Sequence, residues 1–389
     1  MRSDGKGRRF FVMFSLRAGS FFTPAVPILH VRSKNMKKLL SVLLSATLLV
    51  SGMALFAACT PNEPGDPIVV PSDPVVADVY APDGAPALSL AQLMSEDMQF
   101  GEGNTVTYNV VAASSIQTYV TGEEPQAELC VLPVNAAAKL LGKGDVYQML
   151  GTVTHGNIYV LSAASKGYAD LTSANLKEQL LGKTVGCIQL DNVVGLTLKV
   201  VLDNSDIPFE VIEDVSEATG SDVVYLLNIS DPATMITPAA PYDYMVAAEP
   251  VVSTKVGASE GKLKNVGDLQ ALYGGKNGWP QAVLVAKKDF IAENTEFVED
   301  FIAAMQANEG WLAAEDTQPQ AIVDAITDHL GGANPTFNAK NLTKEVIANC
   351  AIRFDAAADC KEEVNAFLES LSAVSGQSFS MADAFFYQG

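Results

Sequence analysis

Four loops hold the residues of this chain best suited to chemistry: Asp83-Gly84-Ala85, Ser114-Ser115, Asn135 and Asn192. Each directly follows a short apolar run and offers carboxylate, hydroxyl, amide or bare main-chain groups. Such groups donate and accept hydrogen bonds, which suits gripping a small molecule more than breaking its bonds. Material for catalysis is scarce. Beyond residue 59 the only histidines are His155 and His329, so no Ser-His-Asp set can be assembled. Cys130 and Cys187 sit inside strand-like runs (AELCVLP, TVGCIQL) as small hydrophobes, and no CxxC or Cys/His ligand spacing occurs. No catalytic residue, metal or cofactor is expected. Each loop also has a plainer use. Asp-Gly is a common turn pair, and Ser114-Ser115 or Asp191-Asn192 can cap the helices that follow.

The elements that place these loops repeat one order, a β-branched strand, a polar loop, then a helix. Asp78–Ala81 leads through the first loop to a helix over Pro86–Met94. Thr105–Ala112 leads through Ser114-Ser115 to a helix near Ile116–Thr121. Glu128–Leu132 leads through Pro133-Val134-Asn135 to an alanine-rich helix ending at Gly142. Val146–Val153 and Ile158–Ser162 are further strands. A second unit comes next, with a helix over Leu171–Leu181, a strand over Thr184–Leu190 and a helix over Val193–Asp203. Strands are expected at Phe209–Val215, Val223–Asn228, Tyr244–Ala248 and Gln281–Lys287. Thr295–Trp311 is a long amphipathic helix, and the remainder to Gly389 reads as helices. Alternation of this kind predicts parallel α/β sheets, with ligands at the carboxyl ends of the strands beside helix N-termini.

The N-terminal region has a different character. Met36–Cys59 (MKKLLSVLLSATLLVSGMALFAAC) places Lys37 and Lys38 before an apolar stretch, Leu39–Val50, and then Ala57-Ala58 before Cys59. The apolar core is short and breaks at Ser51-Gly52, which fits a bacterial secretion signal and not a spanning helix. The placing of Cys59 resembles the lipobox of bacterial lipoproteins, which implies cleavage before Cys59 and lipidation of its thiol. A plain signal peptide with a stray cysteine is the alternative. Thr60–Pro74 is a polar, proline-rich tether. Residues 1–35 are basic and unpatterned, so Met36 is read as the start and 1–35 as a non-native extension. The expected location is extracytoplasmic, lipid-anchored to the cell membrane.

Charge narrows the partners. The chain carries a net charge of −20, and residues 1–59 hold nine of its 25 basic residues but one of its 45 acidic ones. The chain beyond residue 59 is more acidic still, which argues against a nucleic-acid partner. About 330 residues beyond the leader exceed one compact core and suggest two lobes. Arg353 is the only arginine among them, although arginine is the preferred partner of carboxylate and phosphate-like groups. Cys350 and Cys360 lie close enough in sequence for a disulfide, which stays open.

Several stretches together resemble one family, the substrate-binding proteins of ABC importers with the type II periplasmic-binding fold, in the nitrate, sulfonate and thiamine-precursor branch. They are VYAPDGAPALSLAQLM at 79–94, LCVLPVNAAAKLL at 129–141, LLGKTVGCIQLDNVVGLTLKVVL at 180–202, YDYMVAAEP at 242–250 and AVLVAKKDFIAENTEFVEDFIAAMQANEGWL at 282–312. The resemblance implies an α/β protein of two lobes, each a mostly parallel sheet flanked by helices, joined by a two-strand hinge. Lobe 1 would comprise 76–160 plus 283–389 and lobe 2 would comprise 161–282, after a signal at 36–58 and an anchor and tether at 59–75. Crossings are implied near Ile158–Ser162 and Gln281–Lys287. The implied ligand-binding residues are Asp83, Gly84, Ala85, Ser114, Ser115, Asn135, Asn157, Asp191, Asn192 and Glu249. Trp279, beside the return crossing, could stack on a flat ligand or pack in lobe 2. Implied partners are a small molecule, an ABC permease and its ATPase, and the membrane through the anchor; a monomer is expected.

With no arginine near these loops, and with Asp83, Asp191 and Glu249 among them, bare oxyanions are disfavoured. The expected ligand is neutral or weakly cationic, such as a thiamine-precursor-like heteroaromatic. Alternatives are a nitrate or sulfonate-type anion, a sensing lipoprotein with no transporter, and an enzyme of the same fold. The last lacks the cysteine-rich iron-site segment of the fungal thiamine-pyrimidine synthases.

Overall fold

The computed structural model describes residues 73–389 except 275–276 and 332–334. The extension, the signal segment, Cys59 and the tether up to Ser72 lie outside the described residues. No helix among the described residues is long and apolar enough to cross a membrane.

Twelve strands form two six-stranded mixed sheets with helices on their faces. In the first, the order is β12 (Ile352–Ala356), β4 (Tyr147–Thr154), β11 (Ala282–Lys287), β3 (Leu129–Pro133), β1 (Val76–Pro82) and β2 (Thr105–Val111). Strand β1 pairs in parallel with β2 and β3, whereas β11 is antiparallel to both of its neighbours and β12 is antiparallel to β4. The second sheet runs β10 (Leu263–Asp268), β5 (Ile158–Ala163), β9 (Tyr244–Ala248), β6 (Thr184–Ile188), β8 (Val224–Ile229) and β7 (Phe209–Val211). Only β5 runs against the rest of that sheet. The fold is therefore two α/β lobes. The antiparallel β11 and β12 make the first sheet more mixed than a simple strand–helix repeat suggests.

Sequence pattern explains where each strand lies. AVLVAK of β11 is apolar from Ala282 to Ala286 because it is central and covered on both faces. IRFDA of β12 alternates, with Ile352 and Phe354 inward and Arg353 and Asp355 partly exposed, as an edge strand should. It lies in the stretch expected to be helical, since short alternation is masked by helix formers on both sides. LKNVGD of β10 is likewise absent from the expected strands; it carries three polar side chains and an irregularity between Asn265 and Gly267. The expected Leu171–Leu181 helix is regular only over Leu176–Leu180, and Pro86–Met94 breaks into Ala85–Leu88 and Ala91–Ser95.

The strands expected to be the crossings each belong wholly to one sheet. The crossings themselves are the links before them, His155-Gly156-Asn157 outward and, on return, a link of which 277–281 are described. They run side by side because glycine permits it. Gly278 has φ +73°, and a Cβ there would collide with the His155 carbonyl oxygen.

Two apolar cores result. One face of the first sheet (Val79, Ala81, Val131, Leu284) packs under the Thr295–Ala313 and Pro319–Asp328 helices. The other face (Cys130, Leu132, Met149, Val285) belongs to a core that continues into the second lobe. The bridge is the Ala357–Ser375 helix of lobe 1, which packs on the Val193–Asn204 helix of lobe 2. At their junction Trp279 contacts Tyr273 edge-on and stacks on Phe367 at 6.5 Å. Cys350 and Cys360 are both free and lie in opposite cores, which rules out the disulfide in this arrangement. Burial pushes the Cys360 thiol up to about 11 and the Cys187 thiol up to about 12, so these are structural and not reactive thiols.

Candidate functional site

Strand register lines up the ends of the first sheet. Pro82 pairs with Val111, Pro133 with Ala282, and Ala282 with Thr154. This edge holds buried polar atoms with no partner among the described residues: Asp83 Oδ1, Asn135 Oδ1, Thr154 Oγ1 and Gln281 Oε1. Gathered at one edge, such atoms mark a place built to be completed by something else. In the second sheet the matching ends are Ile188 beside Ile229 and Ala248 beside Ile158.

Between the lobes lies a cleft of about 690 Å³. Its lobe 2 wall is the Val251–Ala258 helix with Glu249 at its foot and Asn265 on β10. Its lobe 1 wall is the segment Asn338–Asn349, ending in the short Lys344–Asn349 helix. Asp83 fixes that wall: Oδ2 accepts hydrogen bonds from Thr336 N–H at 2.8 Å and its hydroxyl at 2.7 Å. Asp83 thus shapes the cleft from outside its lining.

Glu249 is the centre of the site. It is 5 % exposed, and a cis peptide bond joins it to Pro250. Oε2 accepts the Ser253 main-chain N–H at 3.0 Å. Oε1 accepts the Ser253 hydroxyl at 2.6 Å and, across the cleft, the Asn349 side-chain amide at 3.2 Å. Every partner is neutral, and no cation pairs with this carboxylate among the described residues. Tyr159 adds a second link between the lobes, its hydroxyl donating to the Asn349 carbonyl at 3.2 Å. Burial, then the charges of Asp268 and Glu249, push that phenol well above its ordinary range, so it remains a donor.

The other expected site residues disperse along the same edges. Gly84 (φ +109°) faces open space, and Ala85 starts the following helix. Ser114 is exposed, while Ser115 turns back to the Ala112 carbonyl at 2.9 Å and caps nothing. Asn135 opens the Val134–Leu141 helix with its buried oxygen free. Asn192 is the N-cap of the Val193–Asn204 helix but makes no side-chain capping bond. Asp191, 95 % exposed, lies 3.6 Å from the ammonium of Lys199, which is 8 % exposed.

Asn157 and Trp279 belong to the hinge. The Asn157 amide bonds the Glu249 carbonyl at 3.4 Å, and its oxygen accepts from Gln281 at 2.9 Å, tying the two crossings together. Trp279 is fully buried, so its ring offers no stacking face. Sequence reasoning misses Asn349 and Lys199. Asn349 reaches Glu249 through the topology alone, and Lys199 reads in sequence as one more helix residue.

The lone arginine is spent within lobe 1. Arg353 grips Asp355 through Nε at 2.9 Å and Nη2 at 2.7 Å, and Asp355 also meets His155 Nε2 at 2.9 Å. His155 and then Arg353 hold the Asp355 carboxyl well below the usual carboxylate range, against the opposing effect of burial. No guanidinium is left for the cleft.

No family model matches the sequence, and no curated protein matches it. Solved structures do resemble it. An ABC transporter structure from Parabacteroides distasonis aligns with a TM-score of 0.58 at 18% identity, covering 81% of this chain and 99% of that one. The periplasmic aliphatic sulphonate binding protein of Escherichia coli gives 0.54 at 14% identity, covering 81% and 93%. The alkanesulfonate-binding protein of Xanthomonas axonopodis pv. citri, bound to MOPS, gives 0.52 at 12% identity, covering 82% and 100%. At these identities the likeness is one of fold, and it extends over nearly the whole of each compared chain.

Proposed function

We propose that this protein is an extracytoplasmic solute-binding lipoprotein, anchored through Cys59, that closes two lobes on a small molecule and delivers it to an ABC importer. The observation that carries the reading is the interlobe cleft, where Glu249 from one lobe and Asn349 from the other meet over a space sized for a small ligand. The fold shared with binding components of importers supports it. Recognition needs only hydrogen-bonding groups, which the cleft lining supplies.

The ligand is neutral or weakly cationic and rich in donors, because the cleft presents amide oxygens and carboxylates with no arginine. A thiamine-precursor-like heteroaromatic is one member of that class. A second reading, an anion binder, draws on Lys199, a nearly buried ammonium below the uncapped N-terminus of the Val193–Asn204 helix. A thermal-shift screen of the purified protein against amines, vitamin precursors, sulfonates and oxyanions tests the proposal. A dose-dependent rise with donor-bearing ligands supports it. A rise with sulfonates or oxyanions alone transfers the ligand class to the second reading, and no rise with any class removes the binding role.

A further inference from the structure

We infer that the cleft beside Glu249 takes the primary ammonium group of an aliphatic amine. The inference rests on the solute-binding reading above and moves its ligand class from neutral or weakly cationic to a fully charged ammonium. Glu249 is a buried carboxylate held only by neutral donors, and Oε2 accepts a single hydrogen bond, so it retains room for another. A buried charge without a counter-charge is costly, and a cationic ligand removes that cost.

The rest of the lining agrees. Glu345 and Asn349 stand four residues apart on the Lys344–Asn349 helix and both line the cleft, so they share one helix face. Asn265, Asn338 and Asn341 add amide oxygens around the same space. The one cation in the lining, Lys340, is exposed. A primary ammonium has three N–H donors and needs several acceptors, which carboxylates and amide oxygens supply. A quaternary ammonium instead needs aromatic faces, as does a flat ring that stacks. Among the described residues no aromatic side chain lines this cleft, and Trp279 is sealed in the hinge. The geometry therefore separates primary amines from both quaternary ammonium and heteroaromatic ligands.

Calorimetry with the full chain at neutral pH tests this with five probes: putrescine, ethanolamine, choline, an aminopyrimidine and isethionate, a sulfonate without an amine. The expected result is binding of the two primary amines and none of choline. Glu249→Gln, which keeps the size and one acceptor oxygen but removes the charge, is expected to weaken amine binding about 10- to 100-fold, in line with loss of a charge-assisted hydrogen bond. Glu345→Gln, at an exposed position that leaves the fold intact, is expected to weaken it about 2- to 5-fold. Either primary amine failing to bind at millimolar concentration, or binding equally well to Glu249→Gln, overturns the inference. Binding of isethionate or the aminopyrimidine in place of amines also overturns it, yet leaves the solute-binding reading standing. That broader reading falls separately, if small-angle scattering finds no compaction with any ligand of the thermal-shift screen.

Discussion

The two lobes touch in two places, and the contacts differ in kind. At the back, the Ala357–Ser375 and Val193–Asn204 helices join through Phe367, Trp279 and Tyr273 in a core that runs unbroken from one lobe to the other. At the front, Asn349 alone reaches across, by one bond to Glu249 and one from Tyr159. Apolar burial is nondirectional and costly to expose, whereas single hydrogen bonds exchange readily with water or a ligand. The back is therefore the pivot and the front the mouth. This matches the hinge-closure motion by which two-lobed proteins take up ligands.

Phe367→Ala strikes the pivot itself and is expected to cost about 3–5 kcal/mol of stability by opening a cavity in the shared core. Chemical denaturation measures it, and a loss below about 1 kcal/mol would refute the pivot. Next is the clip at the first crossing. Asp355→Asn is expected to cost about 1.5–3 kcal/mol at neutral pH, the range for hydrogen bonds to charged groups. Its pH dependence has a definite sign. The folded-state value of Asp355 is depressed, so its contribution is fully present above the unfolded value near 4 and is lost as pH falls below it. The wild-type minus variant difference in unfolding free energy should shrink as pH falls below about 4.

At the front the effects are smaller. Asn349→Ala is expected to cost about 1 kcal/mol and to widen the lobes, read as a larger radius of gyration in small-angle scattering. A cost as large as that of Phe367→Ala would erase the distinction between mouth and pivot. Ser114→Ala should leave stability within about 0.5 kcal/mol, since the hydroxyl is exposed and bonds nothing in the protein. If it nevertheless weakens ligand binding, the mouth extends to the end of β2.

Much of the frame was legible in the sequence because local pattern and tertiary role agree. The Asp83-Gly84 turn, the alanine-rich helix after Asn135 and the Thr184–Ile188 strand appear where periodicity puts them. The features that escaped are non-local. Strand β12 is defined by its neighbour β4 more than by its own five residues. Asn349 lies a hundred positions from Glu249 and meets it only because the chain returns to lobe 1. Trp279 beside a crossing suits stacking or packing equally in sequence, and only the position of Phe367 decides for packing. Of the residues expected to bind ligand, Glu249 lines the cleft and Asp83 secures its wall. A loop's polarity shows that it can bond, not what it bonds.

The place of β11 has a consequence for biogenesis. It lies between β3 and β4 in the first sheet, yet the chain supplies it only after all six strands of the second sheet. Lobe 2 is contiguous and can complete itself as soon as it emerges, while β3 and β4 wait with a vacant slot between them. An open slot flanked by apolar strands invites pairing with other chains. Chaperone demand during synthesis should therefore end with the arrival of Ala282–Lys287, and truncations before that segment should aggregate while those just after it begin to hold together.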